Sequence, residues 1–175
     1  MENALELRGL RKSYKHFTLD NVSLSLPKGC IMGFIGENGA GKSTTIKTML
    51  GLIRKDGGEI RLLGKDPSQD RSVMEKVGLV LDSGFFPQEM NAKQLGSSMA
   101  HIYKGWDQEA SCRFLERFQI SPDKKIKEYS RGMVMKLSLA VALSHGAKLL
   151  VLDEATSGLD PIVRDDILDI LYDFI

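Results

Sequence analysis

The chain has 175 residues, 42% of them hydrophobic and 27% charged, with a formal net charge of +1. That length suits one domain, or one core with a small subdomain, and the composition is ordinary for a globular protein. No apolar run is long enough to span a bilayer, the N-terminus MENALELRGLRKSY lacks a signal-peptide core, and the charge carries no general bias toward nucleic acid or acidic lipid, so a cytosolic chain is expected. Cys30 and Cys112 have neither metal-ligand spacing nor a disulfide framework. They read as reduced thiols, Cys30 in a buried strand and Cys112 on a helix.

Leu5 to Arg8 and Phe17 to Leu26 alternate as strands do, and Pro27-Lys28-Gly29 makes a turn after them. Between them Tyr14, in KSYKHF, has two readings: an aromatic ahead of a phosphate loop on which a base can stack, or an edge-strand tyrosine. Arg11, Lys12 and Lys15 read as a solvated strand edge.

The chain is organised around CIMGFIGENGAGKSTTIKTMLG, Cys30 to Gly51. Ile31 to Ile35 reads as a buried strand, Gly36 to Gly41 as a glycine-rich turn, and Lys42-Ser43 as the opening of a helix. This is the phosphate-loop pattern in its strand-loop-helix context. A polyphosphate is held by many backbone N–H groups at once, and side chains on the loop would block them. Gly36, Glu37, Asn38, Gly39, Ala40, Gly41, Lys42, Ser43 and Thr44 are therefore the candidate nucleotide-binding residues. The amides of Gly39, Gly41, Lys42 and Ser43 would face the α- and β-phosphates at the positive end of the helix. Lys42 would reach the β- and γ-oxygens, and the Ser43 hydroxyl would ligate Mg2+.

Asp56-Gly57-Gly58 reads as a turn and GEIRLLG as a short strand, completing a small β layer. Arg71 to Lys76 follows as a brief helix, and Val77 to Leu81 as an apolar strand that ends at Asp82. Asp82 stands where open α/β sheets keep their ligands, or else caps the turn Asp82-Ser83-Gly84.

From Gly84 to Ala147 the texture is helical, with spans expected at Ala92 to Lys104, Gln108 to Phe118 and Gly132 to Ser144. Asp107 can cap the second span, which sets Cys112, Leu115 and Phe118 near one face, flanked by Ala110 and Phe114. Trp106 reads as core or staple. The third span is apolar over most of its surface, so its methionines read as packing. Leu149 to Leu152 is a wholly apolar strand of the kind buried in a parallel sheet, and it delivers Asp153 and Glu154 to its C-terminal end. Beside a phosphate loop, Asp153 is the candidate to hold Mg2+ through water, and Glu154 to take a proton from an attacking water. Asp160-Pro161 then starts a helix through Ile162, Ile167, Leu171 and Ile175.

With GENGAGKS and LLVLDE, the segment YSRGM (Tyr129 to Met133) resembles the nucleotide-binding domain of an ATP-binding cassette (ABC) ATPase over nearly the whole chain. YSRGM stands where that family carries LSGGQ; Ser130 and Gly132 match, and the variant resembles the exporter-type branch paired with ABC-2-like membrane subunits. SGLD, Ser157 to Asp160, matches the D-loop. The resemblance implies an α/β phosphate-loop NTPase core with an antiparallel β layer, and a single domain over 1–175, incomplete at its C-terminus, with a helical subdomain inserted at 84–147. It implies ATP and Mg2+ as cofactors, Ser43, Asp153 and Asp82 as metal ligands, and Glu154 and Lys42 as catalytic residues. Ser130 and Gly132 would bind the γ-phosphate of an ATP held by a second ATPase subunit, identical or different. The partner would be a transmembrane permease that holds the domain at the cytoplasmic face of the membrane.

Three departures from the family stand out. Asp82 replaces a usual Gln, Met133 replaces the signature Gln, and the switch histidine that follows the Asp153 strand in the family is not reached: His16, His101 and His145 all precede it. A longer protein is therefore expected. Two other functions compete. A repair-type protein acting on nucleic acid would need a long coiled coil between Asp82 and Ser130, and that stretch is too short. An ATP binder without turnover would follow from Asp82 and the missing histidine.

Overall fold

The structure, a computed structural model, describes residues 2–81, 86–153 and 160–175, and the chain divides into two compact units, Met1–Met74 and Glu75–Phe174. The first unit is built on an antiparallel sheet of order β2-β1-β3, with β1 at Asn3–Tyr14, β2 at Phe17–Pro27 and β3 at Gly57–Leu62. Leu5, Leu7, Leu10, Leu19, Ile60 and Leu62 are buried in its core. Leu7 and Leu10 are three apart, so a regular strand would send them to opposite faces. The register of β1 against β2 shifts between them at Gly9, which has φ 59° and whose N–H donates to Ser23 Oγ at 2.8 Å. This bulge puts both leucines on the core face.

The bulge also corrects the reading of Asp56-Gly57-Gly58 as a turn. Gly57 and Gly58 belong to β3, opposite Arg8 to Arg11, and a Cβ on Gly58 (φ 85°) would strike the carbonyls of Arg8 and Gly9. Likewise β1 is the central strand, so Arg11 and Lys12 are not on an edge: Arg11 pairs with Asp20 at 3.0 Å and Lys12 with Asp56 at 2.9 Å. The expected strand Ile31 to Ile35 is absent among the described residues. Residues 30–37 have no regular structure, Ile31 and Ile35 are 53% and 94% exposed, and Cys30 is exposed rather than buried. Apolar residues favour a strand, but a neighbouring backbone makes one, and no described strand pairs with this run. The helix expected at Lys42 is present as α1, Lys42–Met49. The brief helix at Arg71–Lys76 is a 3-10 turn.

In the second unit β4 (Val77–Leu81) and β5 (Leu149–Asp153) run parallel, with Val77 opposite Leu149 and Leu81 opposite Asp153. The helices α2 (Ala92–Ile102), α3 (Gln108–Arg117) and α4 (Arg131–Ser144) lie between them in sequence, and α5 (Pro161–Phe174) follows. Each begins on a local signal. Asn91 and Gln94 form a capping box on α2, the Asp107 carboxylate accepts from the Ala110 N–H at 2.8 Å, Ser130 caps α4, and the Asp160 carboxylate accepts from the Ile162 N–H at 2.9 Å.

The buried side of α3 carries Ser111, Leu115 and Phe118; Cys112 is exposed, one position off the expected face. Leu137, Leu139 and Ala140 of α4 are buried as read, in one cluster with Val80, Leu95, Leu115 and Ile167. Gly78 lets α4 approach β4: a Cβ there would lie 2.9 Å from that of Ala142. Trp106 is part-buried beside Gly96 of α2 and donates from its indole nitrogen to Gln108 Oε1 at 3.0 Å.

Helix α2 stops two residues short of Lys104 because Tyr103 turns extended and stacks on His145, with ring centroids 4.2 Å apart. His145 is 4% exposed, and its Nδ1 is buried without a hydrogen-bond partner among the described residues. Burial lowers its pKa from the ordinary 6.5, against hydrogen bonds involving its own and the Glu75 backbone. A depressed pKa means that the histidine's contribution to stability is complete above 6.5 and is lost as pH falls through the lower folded-state value. Acidification from about pH 7 to about pH 5 should therefore lower the thermal midpoint of the wild type more than that of His145→Phe, which keeps the stack and takes up no proton; equal slopes would exonerate His145.

Candidate functional site

The phosphate loop belongs to the first unit, and its backbone does what the sequence demands. Gly39 and Gly41 adopt φ 85° and 96° with Ala40 between them, and the Ala40 N–H closes a turn onto the Glu37 carbonyl at 3.2 Å. Alternating left-handed and ordinary backbone turns successive amides to one side and makes an anion nest. Gly41 is also the N-cap of α1 and supplies no side-chain cap, so the positive end of that helix is left to an anion. The Lys42 ammonium folds back over the loop and donates to the carbonyls of Gly36 at 2.7 Å and Glu37 at 2.9 Å. A phosphate oxygen placed in the loop would compete for those protons with a full charge.

The loop is seated against the β1–β2 hairpin. A Cβ on Gly41 would stand 2.7 Å from Phe17 Cζ and 3.1 Å from Leu19 Cδ1, so the hairpin packs on the loop where only glycine fits. Phe17 is the register partner of Tyr14. The same hairpin end therefore carries a ring on the loop and a half-exposed tyrosine, 46% accessible, next to it. Tyr14 lies past the last β1–β3 pair, Arg11 with Gly57, so β1 has a strand partner there only in β2 and the ring is left accessible beside the loop. The Lys12 ammonium lies 5.5 Å from the Tyr14 ring centroid. Phe17 and Lys12 were not legible as site residues, because the contacts that recruit them are made by distant parts of the chain.

The remaining candidates lie in the second unit. Asp153 ends β5, part-buried. Ser130 Oγ accepts from the Met133 N–H at 3.3 Å as the N-cap of α4, and Tyr129, buried beside it, donates to the Ser121 carbonyl at 2.7 Å. A Cβ on Gly132 would come within 3.4 Å of Val163 of α5, so glycine keeps that approach close. Glu89 ties the segment before Ser130 to the one after β4 through Lys125 and Lys127, both at 2.8 Å, and these two cations hold its carboxyl down at about 2. Asp82, Glu154 and Ser157 to Leu159 lie outside the described residues.

Among the described residues no cluster of three or more His, Cys, Asp or Glu gathers to hold a metal. Mg2+ takes one or two protein oxygens and fills its shell with water and phosphate, and the Ser43 hydroxyl of the first unit and the Asp153 carboxylate of the second are each oxygens of the kind it accepts. Gly41→Ala would drive a methyl into Phe17 and strain φ, so nucleotide affinity is expected to fall at least about ten-fold while far-UV circular dichroism is kept; titration with ATP checks it.

A family model described as ABC transporter matches residues 19–157. The lantibiotic transport ATP-binding protein SrtF of Streptococcus pyogenes is 34% identical over 173 residues, which cover 97% of this chain and 74% of that protein. The bacitracin transport ATP-binding protein BcrA of Enterococcus faecalis is 33% identical over 175 residues, 98% of this chain and 57% of that protein. Among solved structures, the ATP-binding subunit of an ABC transporter superposes with a TM-score of 0.87 at 24% identity, covering 98% of this chain and 74% of that one, which shows the fold. The chain thus belongs to the ABC transporter family as one of its ATP-binding domains.

Proposed function

We propose that the chain is the ATP-hydrolysing motor of an exporter, working as a pair of ATPase subunits beneath a transmembrane permease at the cytoplasmic face of the membrane. The observation that carries this reading is the glycine-built loop seated on Phe17, with Lys42 laid across it, in a chain whose relatives are transport ATP-binding proteins. ATP binds with its base on Tyr14 and its phosphates on the amides of residues 39–43. Lys42 leaves the carbonyls of Gly36 and Glu37 for the β- and γ-oxygens. Ser43, Asp153 and Asp82 would hold Mg2+, which would supply positive charge to neutralise those oxygens.

Glu154 accepts a proton from the water that attacks the γ-phosphorus in line, and ADP leaves. Ser130 and Gly132, at the N-terminus of α4, meet the γ-phosphate bound by the second subunit, so ATP joins the two and hydrolysis parts them. Residues 1–175 are one domain, incomplete at its C-terminus, whose helical subdomain, 84–147, passes closure of the pair to the permease. The exporter assignment is supported by YSRGM and by relatives named for bacitracin and lantibiotic transport. Among the described residues no helix is long and apolar enough to cross a membrane.

Phosphate release with Mg·ATP is expected to rise more than linearly with protein concentration. Glu154→Gln in the complete protein should slow it by about 10²–10⁴-fold while ATP affinity is kept. Turnover that survives this substitution would remove Glu154 from the proton-accepting role.

A further inference from the structure

Asp56 lies between α1 and β3, in a stretch that sequence reading takes as a turn, yet its bonds run to three consecutive residues of β1. Its N–H donates to the Arg11 carbonyl at 2.9 Å, its Oδ1 accepts from Lys12 Nζ at 2.9 Å, and its Oδ2 accepts from the Ser13 N–H at 2.8 Å. The ladder between β1 and β3 ends with Arg11 opposite Gly57. Past that point Asp56 supplies, with one carboxylate and one amide, the bonds that a continued strand would have supplied. The next residue is Tyr14, held on its other side only by the ladder to Phe17.

The lysine that Asp56 holds is the one whose ammonium stands 5.5 Å from the Tyr14 ring centroid. Lys12 is largely covered and Asp56 half-exposed, and a pair of this exposure contributes little to global stability. What it fixes is local: the path of the backbone into Tyr14, and a cation near its ring. Hydrogen bonds from Lys12 and Ser13 hold the carboxyl below its ordinary value, so it is charged throughout the neutral range.

We infer that Asp56 is a positioning residue for the nucleobase: by holding Arg11, Lys12 and Ser13 it sets the Tyr14 ring so that an open face receives the purine of ATP. This rests on the reading of Tyr14 as the base-stacking residue, and the test separates the two. Affinities for Mg·ATP and for Mg·tripolyphosphate, which has the phosphates and no base, are measured by calorimetry for wild type, Tyr14→Ala, Asp56→Ala, Asp56→Asn and the double alanine variant.

Asp56→Ala should weaken ATP binding about five-fold, the scale of one aromatic stacking contact, and leave tripolyphosphate binding unchanged. The double variant should lose no more than Tyr14→Ala alone, because the two residues act as one unit. Asp56→Asn, which keeps an acceptor for the Ser13 N–H and drops the ion pair, should lose less than Asp56→Ala. An Asp56→Ala variant that binds ATP like wild type, or loses both ligands alike, overturns the assignment of Asp56. Unchanged ATP affinity in Tyr14→Ala overturns the base-stacking reading and the inference with it.

Discussion

The first unit depends on a contact that leaves no room for a side chain. The ring of Phe17 presses on Gly41, at the residue that both closes the phosphate loop and caps α1, and a single added methyl would stand 2.7 Å from Phe17 Cζ. Because Gly41 is at φ 96°, the position excludes other residues twice, once by space and once by backbone conformation. The loop is thus held against the hairpin by packing rather than by hydrogen bonds that would consume its amides. This is how a loop can be rigid and still offer its N–H groups to an anion.

That contact organises what surrounds it. Phe17 is paired across the hairpin with Tyr14, so the strand pairing that seats the loop also sets the residue that would meet the base. The hairpin is itself held in phase by the bulge at Gly9, which turns both Leu7 and Leu10 into the core, and by Gly58, which lets β3 approach that bulge. Asp56 then carries the restraint beyond the end of β3. Glycine backbone, a bulge and one carboxylate therefore act in series, from the sheet core to the residues flanking Tyr14.

The second unit is stabilised differently. Its core is a continuous apolar cluster joining α4, β4 and α5, with capped helices around it, and fully burying a Leu or Ile of this kind is worth about 1.5–3 kcal/mol. The ion pairs at Glu89 with Lys125 and Lys127, at Arg117 with Asp173 and at Lys136 with Asp166 lie on or near the surface. Pairs of that kind fix how segments align more than they stabilise the fold. The Tyr129 hydroxyl and the Ser130 cap likewise orient the start of α4.

The amino-acid sequence by itself determined what short-range chemistry decides. The phosphate loop follows from glycine and lysine spacing, the starts of α2 to α5 from Asn91, Asp107, Ser130 and Asp160, and the parallel pair β4 and β5 from unbroken apolar runs. Only the tertiary structure decided which face of α3 is buried and that Gly57 and Gly58 extend a strand instead of turning. Only it joined Asp56 to Lys12 and Ser13, more than forty positions away. The apolar run Ile31 to Ile35 shows the boundary between the two. Side-chain type makes it fit for a strand, but strand geometry is a bond to another backbone, and no residue within the run encodes its partner.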